Sequence, residues 1–174
     1  MLKLALEGDP VLEASDLEIR REGPSWTVDT LRELQTTFPE AELFLIVGID
    51  AWMEIDTWSR PAEIPALANV IVTTRPGCEF PPGAPEPPVA ARPDACYDPA
   101  IDAHVHTSGH VVRGFRIRGL EASATDVRRR VRLGLHFEHL TGPLVARYIR
   151  DHGLYRATDA PTSDDQPDHG AGSL

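Results

Sequence analysis

Apolar residues recur along this chain in two rhythms, and the change from one to the other marks its elements. In SWTVDTLRELQTTF (25–38), Val28, Leu31, Leu34 and Phe38 return every three or four residues, the spacing that gathers side chains on one face of a helix. Gly23 and Pro24 break the chain just before it, and Ser25 or Thr27 is the expected cap. LFLIVGID (43–50) is instead a continuous apolar run ending in Gly48 and Asp50, and NVIVTTRPG (69–77) is a second one closed by Pro76 and Gly77. Runs of that length fit strands covered on both faces, as in a parallel sheet, with short helical pieces expected around 52–55 and 61–67. GFRIRGL (114–120) alternates, Phe115 and Ile117 against Arg116 and Arg118, and predicts another strand. Helices alternating with buried strands make this an α/β chain with a mainly parallel sheet.

The remaining segments are punctuated less sharply. Residues 1–6 are apolar and read as the tail of a helix closed by Gly8, Asp9 and Pro10, while VLEASDLEIRR (11–21) alternates in part, as strands do. Eight prolines fall among the 24 residues from Pro76 to Pro99, too many for regular structure, so a long loop is expected there. The last element is a helix opened by Pro143, with Leu144, Val145 or Ala146, Tyr148 and Ile149 packing and Gly153 at its end. Residues 157–174 are polar and apolar-poor, which predicts disorder; with no internal repeat, residues 1–156 read as a single domain.

Composition narrows the class. The 174 residues are 41% hydrophobic and 25% charged, as in an ordinary soluble protein. No apolar run reaches membrane-spanning length, and the opening MLKLALEGDP has neither the apolar length nor the cleavage site of a signal peptide, so no membrane partner and a cytoplasmic location are expected. Cys78 and Cys96 are isolated and read as free thiols. A net charge of −10 argues against nucleic acid as a partner, but it hides an asymmetry. From Arg113 to Arg156 ten arginines face four acids, a net of +6, which leaves −16 for the rest of the −10 total. A local anion site in an acidic protein follows.

The segment EASATDVRRR (121–130) gives that site a form. It places small hydroxyl residues ahead of a helix whose first turns carry arginines, so unpaired backbone N–H groups, the helix dipole and planar guanidinium groups would meet a phosphate together. An ordinary Ser cap followed by solvated arginines is the structural alternative. His104, His106 and His110 suggest zinc, since HxH can present two imidazoles on one strand face, but no Cys, Asp or further His completes a ligand set and no metal site is expected. His136, His139 and His152 read as surface or packing residues.

GPSWTVDTLREL (23–34), GIDAWMEIDTWSR (48–60), VTTRPG (72–77), SATDVR (123–128) and ARYIRDHGLY (146–155) occur in this order. Together they resemble the bacterial nicotinate-nucleotide adenylyltransferases, over roughly residues 1 to 156. The resemblance implies a Rossmann-like nucleotidyltransferase fold, and transfer of AMP from ATP to nicotinate mononucleotide with release of pyrophosphate. It implies ATP and nicotinate mononucleotide as partners, with Mg2+ accompanying ATP through its phosphates. Carried over by position, Trp58 would stack on the nicotinate ring while backbone N–H groups of Thr27 and Ser59 face its carboxylate, with Arg75 also at the nicotinate mononucleotide site. Gly48 and Asp50 would lie at the crevice where doubly wound sheets take nucleotides. Ser123, Thr125 and Arg128 keep the family pattern ISSTxIR at three positions and would contact ATP.

The family's first strand ends in GGTFDPxHxGH, which this sequence does not contain, and the resemblance therefore implies an N-terminally truncated fold with no catalytic residue assigned in this chain. His106 and His110 mimic the motif, but they stand four apart rather than three and follow the proline-rich stretch. The strand at 43–47 would normally pair with that first strand, so its edge is expected to be uncovered and the chain to fold poorly or form a homodimer. Two other readings stay open at this point: a non-catalytic remnant that binds a pyridine nucleotide or a partner protein, and a related adenylyl or cytidylyl transferase with another acceptor.

Overall fold

The computed structural model describes residues 1–74, 80, 85–117 and 123–156. The chain packs as two compact units, Ser15–Leu120 and a smaller one drawn from Met1–Ala14 and Glu121–Leu174. The larger holds a five-stranded sheet: β1 (Phe44–Gly48), β2 (Asn69–Thr73), β3 (Ala95–Asp98), β4 (Ala103–His106) and β5 (Val111–Phe115) in the order β1-β2-β5-β4-β3. β1, β2 and β5 are parallel, with Leu45 opposite Val70 and Val47 opposite Val72, whereas β4 and β3 are added antiparallel. The α/β expectation and the parallel half of the sheet hold.

One face of that half carries the core. Val47, Val70, Val72 and Val112 are buried with Ile49, Trp52, Ile55 and Ile64, and Leu31 joins them from the helix Thr27–Thr37. Numbered in chain order, the helices are α1 (Leu2–Ala5), α2 (Leu17–Arg20), α3 (Thr27–Thr37), α4 (Ile49–Met53), α5 (Ile64–Leu67), α6 (Ala124–Arg132), α7 (Glu138–Thr141) and α8 (Pro143–Asp151). α3 buries Val28 and Leu31 at the predicted spacing. Trp52 on α4 donates from its indole Nε1 to the Glu86 carbonyl at 2.9 Å, which satisfies the one polar group of a buried aromatic.

Several expectations are corrected. Residues 11–21 form no strand: Val11 is 85% exposed, the Asp9 carboxylate accepts the N–H groups of Val11 and Leu12, and the chain then turns into α2. Alternation without an apolar partner did not make a strand. Neither Ser25 nor Thr27 caps α3, because Trp26 occupies the cap position and the Ser25 hydroxyl donates to the Glu18 carbonyl. β1 is covered on one face only, with Phe44 52% and Ile46 68% exposed. The proline-rich stretch holds a 3-10 turn (Val89–Asp94) and β3, whose hairpin with β4 turns at Asp102 with a positive φ of 50°. The strand expected at 114–120 begins earlier, at Val111, and its N–H meets the Asn69 side-chain oxygen at 2.9 Å.

In the smaller unit α8 begins at Pro143 as expected, and Val145, Ala146 and Ile149 form a second core with Phe137, with Leu4, Val127 and Val131 packed against it. Leu144 is exposed rather than packed. Residues 118–122 and 157–174, which include the tail expected to be disordered, lie outside the described residues.

Candidate functional site

α3 and the segment following α4 converge on a cavity of about 250 Å³ lined by Ser25, Trp26, Thr27, Thr57, Trp58 and Ser59. Each wall is set by local chemistry. On the first, the Arg21 guanidinium donates to the Ser25 and Thr30 hydroxyls at 3.1 Å each and pairs with Glu33 at 2.6 Å, which fixes the approach to α3. Thr27 is the first helical residue, a position whose N–H has no intrahelical partner and where the helix dipole favours an anion. On the second, a 3-10 turn (Ile55–Thr57) is anchored by buried Ile55, and the Trp58 N–H donates to the Ile55 carbonyl at 3.0 Å. Trp58 is half-buried and packs against the main core, so its ring is held rather than free to swing.

The structure thus brings together three of the four residues expected at an acceptor site: Thr27, Trp58 and Ser59. Arg75 lies outside the described residues. Sequence reasoning missed Trp26, which is 48% exposed and lines the same cavity. Its signal is an aromatic ring between Ser25 and Thr27, the two residues expected to cap the helix.

Gly48 closes β1 and serves as the N-terminal cap of α4, with Asp50 in the first turn. A Cβ added at Gly48 would meet no described residue within 4 Å, which leaves room at the carboxyl end of β1. Gly48 rather than Asp50 takes the cap position of α4. At the carboxyl end of β2 the buried Thr74 hydroxyl has no hydrogen-bond partner among the described residues.

Ser123, Thr125 and Arg128 belong to the smaller unit. Ser123 is the cap of α6, and its hydroxyl accepts the Asp126 N–H at 3.0 Å. Thr125 is exposed in the first turn, and the Arg128 guanidinium lies 5.9 Å from the centre of the Tyr155 ring. Two neighbouring arginines are engaged internally: Arg130 and Arg129 donate to the Asp126 carboxylate at 2.7 and 2.9 Å. Those donors hold the Asp126 pKa below its usual 3.8, Arg130 more strongly than Arg129.

The histidines expected to lack a metal role are tied into a turn. Ser108 N–H donates to His106 Nδ1 at 3.1 Å, and the Ser108 hydroxyl lies 3.0 Å from His110 Nδ1. Among the described residues no group of three or more His, Cys, Asp or Glu could hold a metal ion.

No family model matches the chain. Curated relatives do. A "Probable nicotinate-nucleotide adenylyltransferase" of Citrifermentans bemidjiense is 38% identical over 155 residues, 89% of this chain and 72% of that protein. Proteins of the same name from Geotalea uraniireducens and Marinobacter nauticus are 36% and 37% identical, again over 72% of their length. Among solved structures, the Plasmodium falciparum nicotinic acid mononucleotide adenylyltransferase complexed with APC aligns with a TM-score of 0.51 at 15% identity, over 77% of this chain and 60% of that one. Its complex with NaAD gives a TM-score of 0.50 over 77% and 58%. At that identity the solved structures show the shared Rossmann-like nucleotidyltransferase fold, and the chain spans under two thirds of their length. The curated relatives carry the assignment further: the chain belongs to the nicotinate-nucleotide adenylyltransferases, the adenylyl-transferring nucleotidyltransferases of NAD biosynthesis.

Proposed function

We propose that the cavity between α3 and the Trp58 segment is the acceptor site, taking nicotinate mononucleotide for AMP transfer from ATP. The observation that carries this reading is the meeting of Thr27, Trp58 and Ser59 in one cavity. A half-buried indole offers a flat apolar platform for a pyridine ring. Backbone N–H donors at Thr27 and Ser59 suit a carboxylate, whereas an amide would present an NH₂ donor where an acceptor is wanted, and a site built on such pairing discriminates strongly.

In the reaction an oxygen of the acceptor's phosphate attacks the α-phosphorus of ATP, the bond to the bridging oxygen of the β-phosphate breaks, and pyrophosphate leaves with deamido-NAD as product. No covalent enzyme intermediate is needed. Catalysis of this kind is mainly positioning and electrostatic stabilisation. Gly48, Asp50, Ser123, Thr125 and Arg128 are the residues assigned to ATP, and Arg75 joins the acceptor side. Gly48 suits that role because it leaves room at the end of a strand, Ser123 because it begins a nine-residue helix. Among the described residues no group of three or more His, Cys, Asp or Glu offers a ligand set for Mg2+, which would accompany ATP through the phosphates. The names of the relatives reported above favour the transferase over a non-catalytic remnant.

The test is calorimetric titration of nicotinate mononucleotide into the wild-type chain and Trp58→Ala. Loss of a stacking platform should cost about 1 to 3 kcal/mol of binding. Unchanged affinity in a folded variant would remove Trp58 from the site.

A further inference from the structure

Three contacts, each three residues apart on α3, fasten the helix to the chain that follows Ser59. Asp29 pairs with Arg60, Arg32 pairs with Glu63, and Gln35 Nε2 donates to the Leu67 carbonyl at 2.9 Å. Positions 29, 32 and 35 share one helix face, so they form a ladder along the segment that runs through the 3-10 turn Pro61–Glu63 and α5. Just past the middle rung the segment is anchored by Ile64, which is fully buried. The upper rung has no such burial, and its Arg60 has φ 50° and ψ 55°, a left-handed conformation that L side chains rarely adopt. Asp29 stands two residues after Thr27, and Arg60 directly follows Ser59. The rung therefore joins the two chain segments whose backbones edge the cavity.

We propose that Asp29 and Arg60 are positioning residues: their ion pair sets the gap between the Thr27 and Ser59 backbones, and with it the preference for a carboxylate over an amide on the acceptor ring. The inference rests on the acceptor-site reading above. Partly exposed pairs add little to global stability. The geometry of a two-sided carboxylate cradle, by contrast, depends directly on the distance between its sides.

Charge arithmetic gives the test its sign. Asp29→Asn removes a negative charge near an anion site and releases a guanidinium beside it, so Coulomb attraction alone would tighten nicotinate mononucleotide binding. A lost clamp weakens it. Binding of nicotinate and nicotinamide mononucleotides to the 174-residue chain would be measured for wild type, Trp58→Ala, Asp29→Asn, Arg60→Gln and the Asp29→Asn/Arg60→Gln double variant, with thermal melts alongside. The expected result is about tenfold weaker nicotinate binding in Asp29→Asn, the loss of roughly one hydrogen bond to a charged group, with nicotinamide binding unchanged. The double variant should be no worse than either single one, as for two ends of one contact. Unchanged or tighter nicotinate binding in Asp29→Asn, beside a weakened Trp58→Ala, overturns the clamp and leaves the acceptor site standing. Equal losses for both nucleotides, tracking a lowered melting temperature, also overturn it, because they mark a structural role. Wild type that binds no nicotinate mononucleotide, or Trp58→Ala that binds as well as wild type, overturns the acceptor-site reading and the clamp together.

Discussion

Asp126 shows how much one carboxylate can organise. It lies in the first turn of α6, where a negative charge is favoured by the helix dipole, and it gathers Arg130 and Arg129. Its pKa is lowered from 3.8, first by the Arg130 hydrogen bond and then by that of Arg129, with desolvation opposing them. A depressed folded-state pKa means that the contribution to stability is present above the unfolded value and is lost as pH falls through the folded one. Melting temperature followed by circular dichroism should therefore fall on acidification below 3.8, and Asp126→Asn should fall less steeply over that window. Because the carboxylate is solvated, high salt should shrink the difference between the two profiles. Identical acid slopes at low salt would remove this pair from the account. Gly114 is a second residue whose identity matters, for steric reasons. A Cβ there would meet the Phe80 ring at 2.8 Å and Pro85 at 3.0 Å. Gly114→Ala should destabilise by about 1 to 3 kcal/mol, the usual cost of overpacking, measured by urea unfolding.

Elements were legible where periodicity and punctuation agreed. α3 and α8 carry apolar residues at helical spacing, and α8 has Pro at its first position with Gly153 just beyond its end at a positive φ of 62°. α6 was legible from its cap: Ser123 stands where a hydroxyl was expected and bonds the Asp126 N–H. That bond gives an element-scale expectation. Ser123→Ala should cost about 1 kcal/mol of stability through the freed N–H, and Ser123→Asp should restore it. Denaturant melts of both variants would decide the point. Legibility failed where tertiary partners decide the outcome. Residues 11–21 alternate as a strand would, but no neighbouring strand takes them, and a local Asp9 turn wins. β3 and β4 were hidden because their turn uses Asp102 at positive φ instead of the glycine that usually signals a hairpin. At the cavity, Thr27, Trp58 and Ser59 were legible as members of a motif set. The Asp29–Arg60 rung was not, because its partners are 31 residues apart and only the fold brings them together.

At the scale of the whole chain the arrangement of the sheet carries the last expectation. β1 pairs with β2 and is the terminal strand of the sheet order, so its outer backbone groups have no strand partner among the described residues. Phe44 and Ile46 alternate with core-packed Leu45 and Val47, so they project from the opposite face, and Phe115 on β5 is exposed as well. Apolar side chains beside a free edge favour pairing with another chain. The 174-residue chain should therefore self-associate in a concentration-dependent way, visible by sedimentation velocity as a rising weight-average coefficient. Ile46→Glu puts a charge on that face without touching the core, so it should cost less than about 0.5 kcal/mol of stability. It should shift association to higher concentration, because a second copy would have to bury the carboxylate. Val47→Glu is the control for mere destabilisation, since Val47 is buried and its replacement should unfold the chain instead. A wild type that stays monomeric across the concentration range would mean that the exposed face does not drive association. An Ile46→Glu variant that associates as strongly as wild type would move the contact elsewhere on the surface.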